Sequence, residues 1–181
     1  MVGDSAVGKT SLMVRYVEGK FDEDYVETLG VNFMEKTIDL PQAQVIMSLW
    51  DLGGAREFVS MMPMVCVDAV AVLFLFDLTN RASLNSIREW YRQVRGLNQN
   101  AVPFLVGTKF DLFYAQEKSE QEETTKQARK YARAMKAPLV FCSASHGINI
   151  QKLFKLLFCK VFDVETTVPK KSNVGEPILE Y

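Results

Sequence analysis

The sequence predicts one α/β domain: a doubly wound, mostly parallel six-stranded sheet with helices on both faces. Three observations lead there. Apolar runs at residues 45–50, 69–76, 102–106 and 139–141 alternate with helix-period segments at 9–17, 83–97, 120–135 and 149–162, the β-α rhythm of a parallel sheet. A glycine-containing turn leads directly into the first helical segment. The chain has 181 residues, 48% of them apolar, with 21 basic against 22 acidic side chains. That length supports one substantial core, and the charge balance shows no bias toward nucleic acid or an anionic membrane.

Taken in order, the first element is the most irregular. A glycine turn of this kind follows a buried central strand of about five residues, and only Met1-Val2 precede it. The expectation is a shortened amino terminus whose neighbouring strands lose their central hydrogen-bond partner. Residues 31–40 alternate in polarity and read as an edge strand pairing antiparallel with 45–50 across the Pro41-Gln42 turn. Phe33 and Trp50 then fall on the outward face, an effector-surface candidate, although Trp50 also fits a core position, and a mixed role is expected. The final helix carries a core stripe of Ile150, Leu153, Phe154, Leu157, Val161 and Phe162; Leu156 and Phe158 are left over, to cover the tail or meet a partner. The domain is expected to span 1–163, with 164–181 an extended tail that folds back or binds a scaffold.

Gly3-Asp4-Ser5-Ala6-Val7-Gly8-Lys9-Thr10 fits G-x-x-x-x-G-K-[ST], the phosphate-binding loop of nucleotide triphosphatases. Its glycines let successive N–H groups turn toward phosphate oxygens, and the helix that begins near Gly8 adds its positive dipole end. Lys9 supplies a mobile charge to the β- and γ-phosphates, while Thr10 Oγ1 is placed to ligate Mg²⁺. An ordinary turn before a helix is the bland alternative. The base is read further along, at Thr108-Lys109-Phe110-Asp111, after the run that ends in Gly107. A carboxylate at Asp111 accepts from guanine N1–H and the exocyclic amine, donors that adenine does not pair, so GTP and GDP are the expected nucleotides.

Together with Thr28-Leu29-Gly30-Val31-Asn32-Phe33, Trp50-Asp51-Leu52-Gly53-Gly54 and Ser143-Ala144, these motifs make the chain resemble a Ras-superfamily small GTPase over nearly its whole length. The resemblance implies a P-loop NTPase G domain. It makes Thr28 the switch I ligand of Mg²⁺, Asp51 a carboxylate behind the metal, and Gly54 the switch II N–H that senses the γ-phosphate. It places Phe21 against the guanine, the Ser143-Ala144-Ser145 loop at the guanine carbonyl, and Ser11 beside Thr10 at the phosphates. Leu84-Asn85-Ser86-Ile87-Arg88-Glu89-Trp90-Tyr91-Arg92-Gln93 and Gly175-Glu176-Pro177-Ile178-Leu179-Glu180-Tyr181 narrow the likeness to the fungal septation-initiation and mitotic-exit GTPases. That likeness implies an effector protein kinase, a GTPase-activating protein and a scaffold at the spindle pole body, in a cytoplasmic protein.

Ala55 departs from the pattern, standing where the superfamily usually carries the glutamine that orients the attacking water. Catalysis by Lys9 and Gly54 is then expected to be slow, since a methyl group neither donates to nor accepts from water. Two readings remain open: a natural slow member, or a form locked with GTP that acts as a binding module. A Rab-like membrane-traffic GTPase is a further alternative, disfavoured because no cysteine follows Cys159, so that no lipid anchor is expected at this end. Cys66, Cys142 and Cys159 lack metal-ligand spacing and read as buried thiols. His146, the only histidine, reads as a loop residue near the base, and the acidic run 117–123 as a solvated loop and first helical turn, or a partner-specific insert.

Overall fold

The computed structural model describes residues 1–24, 26–41 and 43–181, so Gln42 of the expected hairpin turn lies outside the described residues. The elements run α1 (Lys9–Glu18), β1 (Val31–Leu40), β2 (Ala43–Leu52), a 3-10 turn (Arg56–Met61) continuing into α2 (Met62–Cys66), β3 (Ala71–Asp77), α3 (Arg81–Leu97), β4 (Val102–Thr108), α4 (Phe110–Phe113), α5 (Lys118–Met135), β5 (Leu139–Phe141), α6 (Ile150–Val161) and β6 (Leu179–Glu180). The 3-10 turn, α2, α4 and β6 were not expected, because segments of two to six residues are too short to show a period.

Alternation along the strands builds two layers. Val72, Phe74 and Phe76 of β3 join Leu84, Ile87, Trp90 and Ala128 from α3 and α5 in one cluster, while Leu73 and Leu75 join Leu12, Met13, Leu153 and Phe154 from α1 and α6 in the other. Successive side chains of a strand point to opposite faces, so a continuous apolar run is covered on both sides by helices. This is the α/β architecture expected from the run pattern.

The sheet is mixed and is not one continuous six-stranded ladder. β1 and β2 pair antiparallel, with Phe33 opposite Trp50. β3, β4 and β5 are parallel, and β6 adds to β5 antiparallel. Met1-Val2 occupy the joint between the two ladders. Val2 bridges Phe74 in parallel sense, donating to Leu73 O (3.0 Å) and accepting from Leu75 N (2.9 Å), while Met1 O accepts from Leu52 N (3.2 Å). Met1-Val2 thus hydrogen-bond to both β2 and β3.

Trp50 does not simply fill core. It is 38% exposed and packs at 4.6 Å against the ring of Phe33, itself 43% exposed, on the outward face of the hairpin. Leu156 is fully buried in the cluster that also holds Val168 and Leu179, so this leftover residue of α6 covers the tail. Phe158 instead packs against the exposed Phe162, the rings tilted and 4.5 Å apart.

Within residues 168–181, Val168, Ile178 and Leu179 are buried against the domain while most of the residues between them are exposed. Lys171 and Leu179 exchange backbone hydrogen bonds (3.0 and 2.9 Å), closing a hairpin whose second limb is β6. Arg129 of α5 holds Glu180 through two nitrogens (3.0 and 2.6 Å) and also donates to Ser172 O. Tyr181 Oη donates to Val168 O (2.5 Å), with Lys170 above its ring.

Ile178 is completely buried in the α3/α5 cluster. Ile178→Ala is expected to cost about 2–4 kcal/mol, the range for an aliphatic side chain lost from a closed core. The denaturant midpoint measures it; a loss below about 1 kcal/mol would mean that the tail rests on the domain without contributing core.

Candidate functional site

The phosphate loop curls because its backbone alternates handedness: Gly3 has φ 149°, Ala6 φ 61° and Gly8 φ 89°. A Cβ on Gly3 would overlap Leu75 O, so only glycine lets the loop leave β3's side this closely. Ala6 is held in the left-handed region despite its Cβ, a conformation that surrounding structure must enforce. No side chain caps α1 at Gly8. The first N–H groups of the helix are thus left for whatever occupies the cavity in front of them.

That cavity has a volume of about 620 Å³, within the range of small-ligand sites. Its wall brings together Ser5, Ala6, Gly8, Lys9, Thr10 and Ser11 of the loop and α1 with Phe21, Thr28 and Gly54. Thr108, Lys109, Asp111, Ala144 and Ser145 form the opposite end. Residues separated by more than a hundred positions in sequence therefore share one chamber, because parallel strands deliver their carboxyl ends to the same edge of the sheet.

Asp4, Val7, Ser143, Asp51 and Ala55 lie outside the wall. Asp4 Oδ1 accepts from Trp90 Nε1 (2.8 Å), which fastens the loop to α3. Val7 is buried in the α1/α6 cluster, and its carbonyl accepts from Thr108 Oγ1 (2.6 Å), which also reaches Phe76 O (3.0 Å). Ser143 is buried and exchanges backbone hydrogen bonds with Ile148, closing the loop that carries Ala144 and Ser145. Ala55 opens the 3-10 turn and accepts from Phe58 N (3.0 Å). Its neighbour Gly54 lies so close to the loop that a Cβ there would overlap Ser5 N and Asp4 C.

At the phosphate end three oxygens converge. Thr10 Oγ1 and Thr28 Oγ1 are 2.7 Å apart, and Thr10 Oγ1 also donates to Asp51 Oδ2. Asp51 is fully buried, and its Oδ1 has no partner among the described residues. Burial raises its pKa above the usual carboxylate value, against the opposing pull of the Thr10 hydrogen bond and Lys9. A hard-oxygen set with one orphaned carboxylate oxygen fits Mg²⁺. Lys9, 6% exposed, donates to Gly3 O (2.9 Å) and Asp4 O (2.8 Å), leaving one of its three N–H donors uncommitted among the described residues. Burial lowers its pKa, with Asp51 and Asp4 opposing.

At the base end Lys109 adopts φ 57° and pairs with Asp77 Oδ2 at 2.7 Å. Asp77 Oδ1 in turn accepts from Thr79 N and Oγ1 (2.8 and 2.7 Å). Asp111 stands 3.7 Å from His146 Nδ1, in keeping with a loop histidine beside this end. Cys142 also borders the cavity, but burial and then Asp111 push its thiol up to about 12, so it is protonated and inert. Asp77 and the Trp90–Asp4 bond were not found in the sequence. A carboxylate ending an apolar run, in Phe76-Asp77-Leu78-Thr79, was the available signal for the first; the second had none.

Asp51 gives a pH-dependent test. Its folded pKa lies above its unfolded value, so the ionised form costs stability at neutral pH, and the cost fades as pH falls through the raised pKa. Asp51→Asn is expected to stabilise the metal-free, nucleotide-free chain by roughly 1–3 kcal/mol at pH 7, with the difference shrinking in acid. Denaturant titrations at pH 7 and at pH near 5 measure it; a less stable variant at pH 7 would contradict the burial argument.

Residues 1–163 match the Ras family. The chain is 63% identical over all 181 residues to septum-promoting GTP-binding protein 1 of Schizosaccharomyces pombe, covering 91% of that protein. It is 34% identical over 173 residues, 94% of this chain and 66% of the relative, to Ras-related protein Rab-26 of Bos taurus. Ras-related protein SEC4 of Saccharomyces cerevisiae is 30% identical over 155 residues, 85% of this chain and 69% of its own. The chain belongs to the Ras family of small GTPases, which bind guanine nucleotides and hydrolyse GTP.

Proposed function

We propose that this GTPase is a switch for septation, working in the cytoplasm and recruited by a scaffold to the spindle pole body, where its GTP form engages an effector protein kinase and a GTPase-activating protein ends the signal. The observation that carries the reading is the 63% identity over the full chain to a septum-promoting GTP-binding protein, against 30–34% to Ras-related proteins Rab-26 and SEC4. The exposed Phe33–Trp50 pair gives an effector an apolar, aromatic anchor between the two switch segments.

Chemically, Lys9 and the N–H groups of residues 5–10 bind the phosphates, and Asp111, with Ala144 and Ser145 behind, reads guanine. Phe21, at the cavity rim, packs on the base. Thr10 and Thr28 are the side chains that would hold Mg²⁺, with Asp51 accepting from behind. Held there, Mg²⁺ would supply charge neutralisation at the nucleotide's phosphates. Thr28 and Gly54 order around the γ-phosphate and are released when it leaves.

A specific observation favours a second reading, the long-lived GTP-bound module. Among the described residues the cavity wall carries no glutamine, and the Ala55 methyl offers nothing to orient water. Single-turnover hydrolysis of bound GTP is expected to rise at least tenfold, about 1.4 kcal/mol of barrier, in Ala55→Gln; equal rates would remove Ala55 as a lock.

The septation reading is tested in S. pombe depleted of its septum-promoting GTP-binding protein 1. Expression of this chain should restore septa, and Phe33→Ala/Trp50→Ala should not, while still binding GTP in vitro. A GTP-binding chain that never restores septa would overturn the reading.

A further inference from the structure

Asn149 holds the base-side loop from behind. It sits at the amino end of α6 with φ 58°, 8% exposed, and its Nδ2 donates to two carbonyls at once: Phe141 O (2.9 Å) on β5 and Pro177 O (3.0 Å) on the tail. Phe141 N in turn donates to Ile178 O (2.9 Å). The loop between Ser143 and Ile148, which carries Ala144 and Ser145 into the cavity, is therefore clamped at both of its roots. One root is β5, paired with β6; the other is Asn149, tied to the residue that leads into β6.

We infer that Asn149 is a positioning residue for guanine nucleotide binding, through which docking of residues 168–181 sets how long the nucleotide stays bound. The inference rests on the reading of the 143–148 loop as the guanine contact. Burial of Ile178 and Leu179 supplies the affinity of the tail for the domain, and the Arg129–Glu180 pair fixes its register. Asn149 converts that docking into loop geometry, because an amide with both donors committed to opposite carbonyls cannot follow one root without the other. When β6 lifts, β5 loses its outer partner, Asn149 keeps one bond instead of two, and the carbonyl-facing loop loses its preorganised position. Nucleotide then leaves faster from the base side, while the Thr10, Thr28 and Asp51 cluster is untouched.

The test uses fluorescent mant-GDP on the full chain, with Asn149→Gly as the main variant. Glycine tolerates the positive φ, so the amide is removed without backbone strain. Arg129→Ala is the second variant; it loosens the tail from a site that does not touch the loop. Each is expected to raise the mant-GDP dissociation rate roughly tenfold, the equivalent of one or two buried hydrogen bonds. The double variant should be little faster than either, since both break one linkage. The factor should be the same with Mg²⁺ and in EDTA, which separates a base-side effect from general loosening of the phosphate site, and amide exchange at residues 143–148 should rise in both variants. Unchanged dissociation in a folded Asn149→Gly, strictly multiplicative effects, or acceleration seen only with Mg²⁺ would each overturn the proposal. Failure of the unaltered chain to retain mant-GDP would overturn the guanine reading and this inference with it, and is distinguishable because it appears before any variant is compared.

Discussion

Asp51 is ionisable, fully buried and, among the described residues, incompletely hydrogen-bonded, and no packing argument asks for a carboxylate there. An apolar side chain of similar volume would remove the desolvation cost that raises its pKa. What surrounds it makes sense as a set of means for keeping it in place. β2 carries it in from an antiparallel hairpin anchored at Leu52 N by Met1 O; α1 brings Thr10; the stretch after α1 returns Thr28 to within hydrogen-bond reach of Thr10. A site tuned for a cation is strained without one, so occupancy and stability are linked through this one residue.

Much of the domain was legible because its signals are local. The β5 run and the β1 alternation gave their strand bounds, and α1, α3, α5 and α6 end within two residues of the apolar periodicity. The phosphate-loop spacing placed Lys9 and Thr10 at one end of the cavity, and Asp111 fell at the other by virtue of following a buried strand. The parts that escaped depend on partners far away in sequence. Trp90 reaches Asp4 across 86 positions, and Asp77 finds Lys109 across the parallel β3–β4 pair. The tail looked extended because Pro169 and Pro177 disfavour regular structure. It is extended, yet two of its residues form a strand, since β5 offers an open edge whose N–H and C=O groups need partners.

Val2 ties the phosphate loop to β3 at the joint between the two ladders. Val2 alone makes two hydrogen bonds to β3, and its side chain is buried among Leu52, Phe74 and Met62 in the same cluster. Gly3 must follow immediately, because its positive φ and lack of a Cβ turn the chain away beneath Leu75 O. The path of the phosphate loop is thus fixed by contacts on either side of it: Val2 and Gly3 against β3 before, Thr108 gripping Val7 O after.

The two ends of the cavity differ in what holds them, and that difference suits a switch. The base end is held by the buried bonds of Thr108 to Val7 and Phe76 and of Asn149 to Phe141, with the partly buried bonds of Lys109 to Asp77 and Asn149 to Pro177 beside them. At the phosphate end, Gly53 N to Gly30 O (2.7 Å), Thr28 to Thr10 and the close approach of Gly54 to Ser5 hold a stretch in which Val26 and Leu29 are largely exposed. Local opening costs least where few apolar groups are buried. Adding or removing a phosphate at Thr28 and Gly54 therefore works against a weakly held segment, while the base remains gripped by one that resists. A change of a few kcal/mol at the phosphate end is then spent on rearranging residues 26–30 and 53–55, next to the exposed Phe33 and Trp50, and not on releasing the nucleotide.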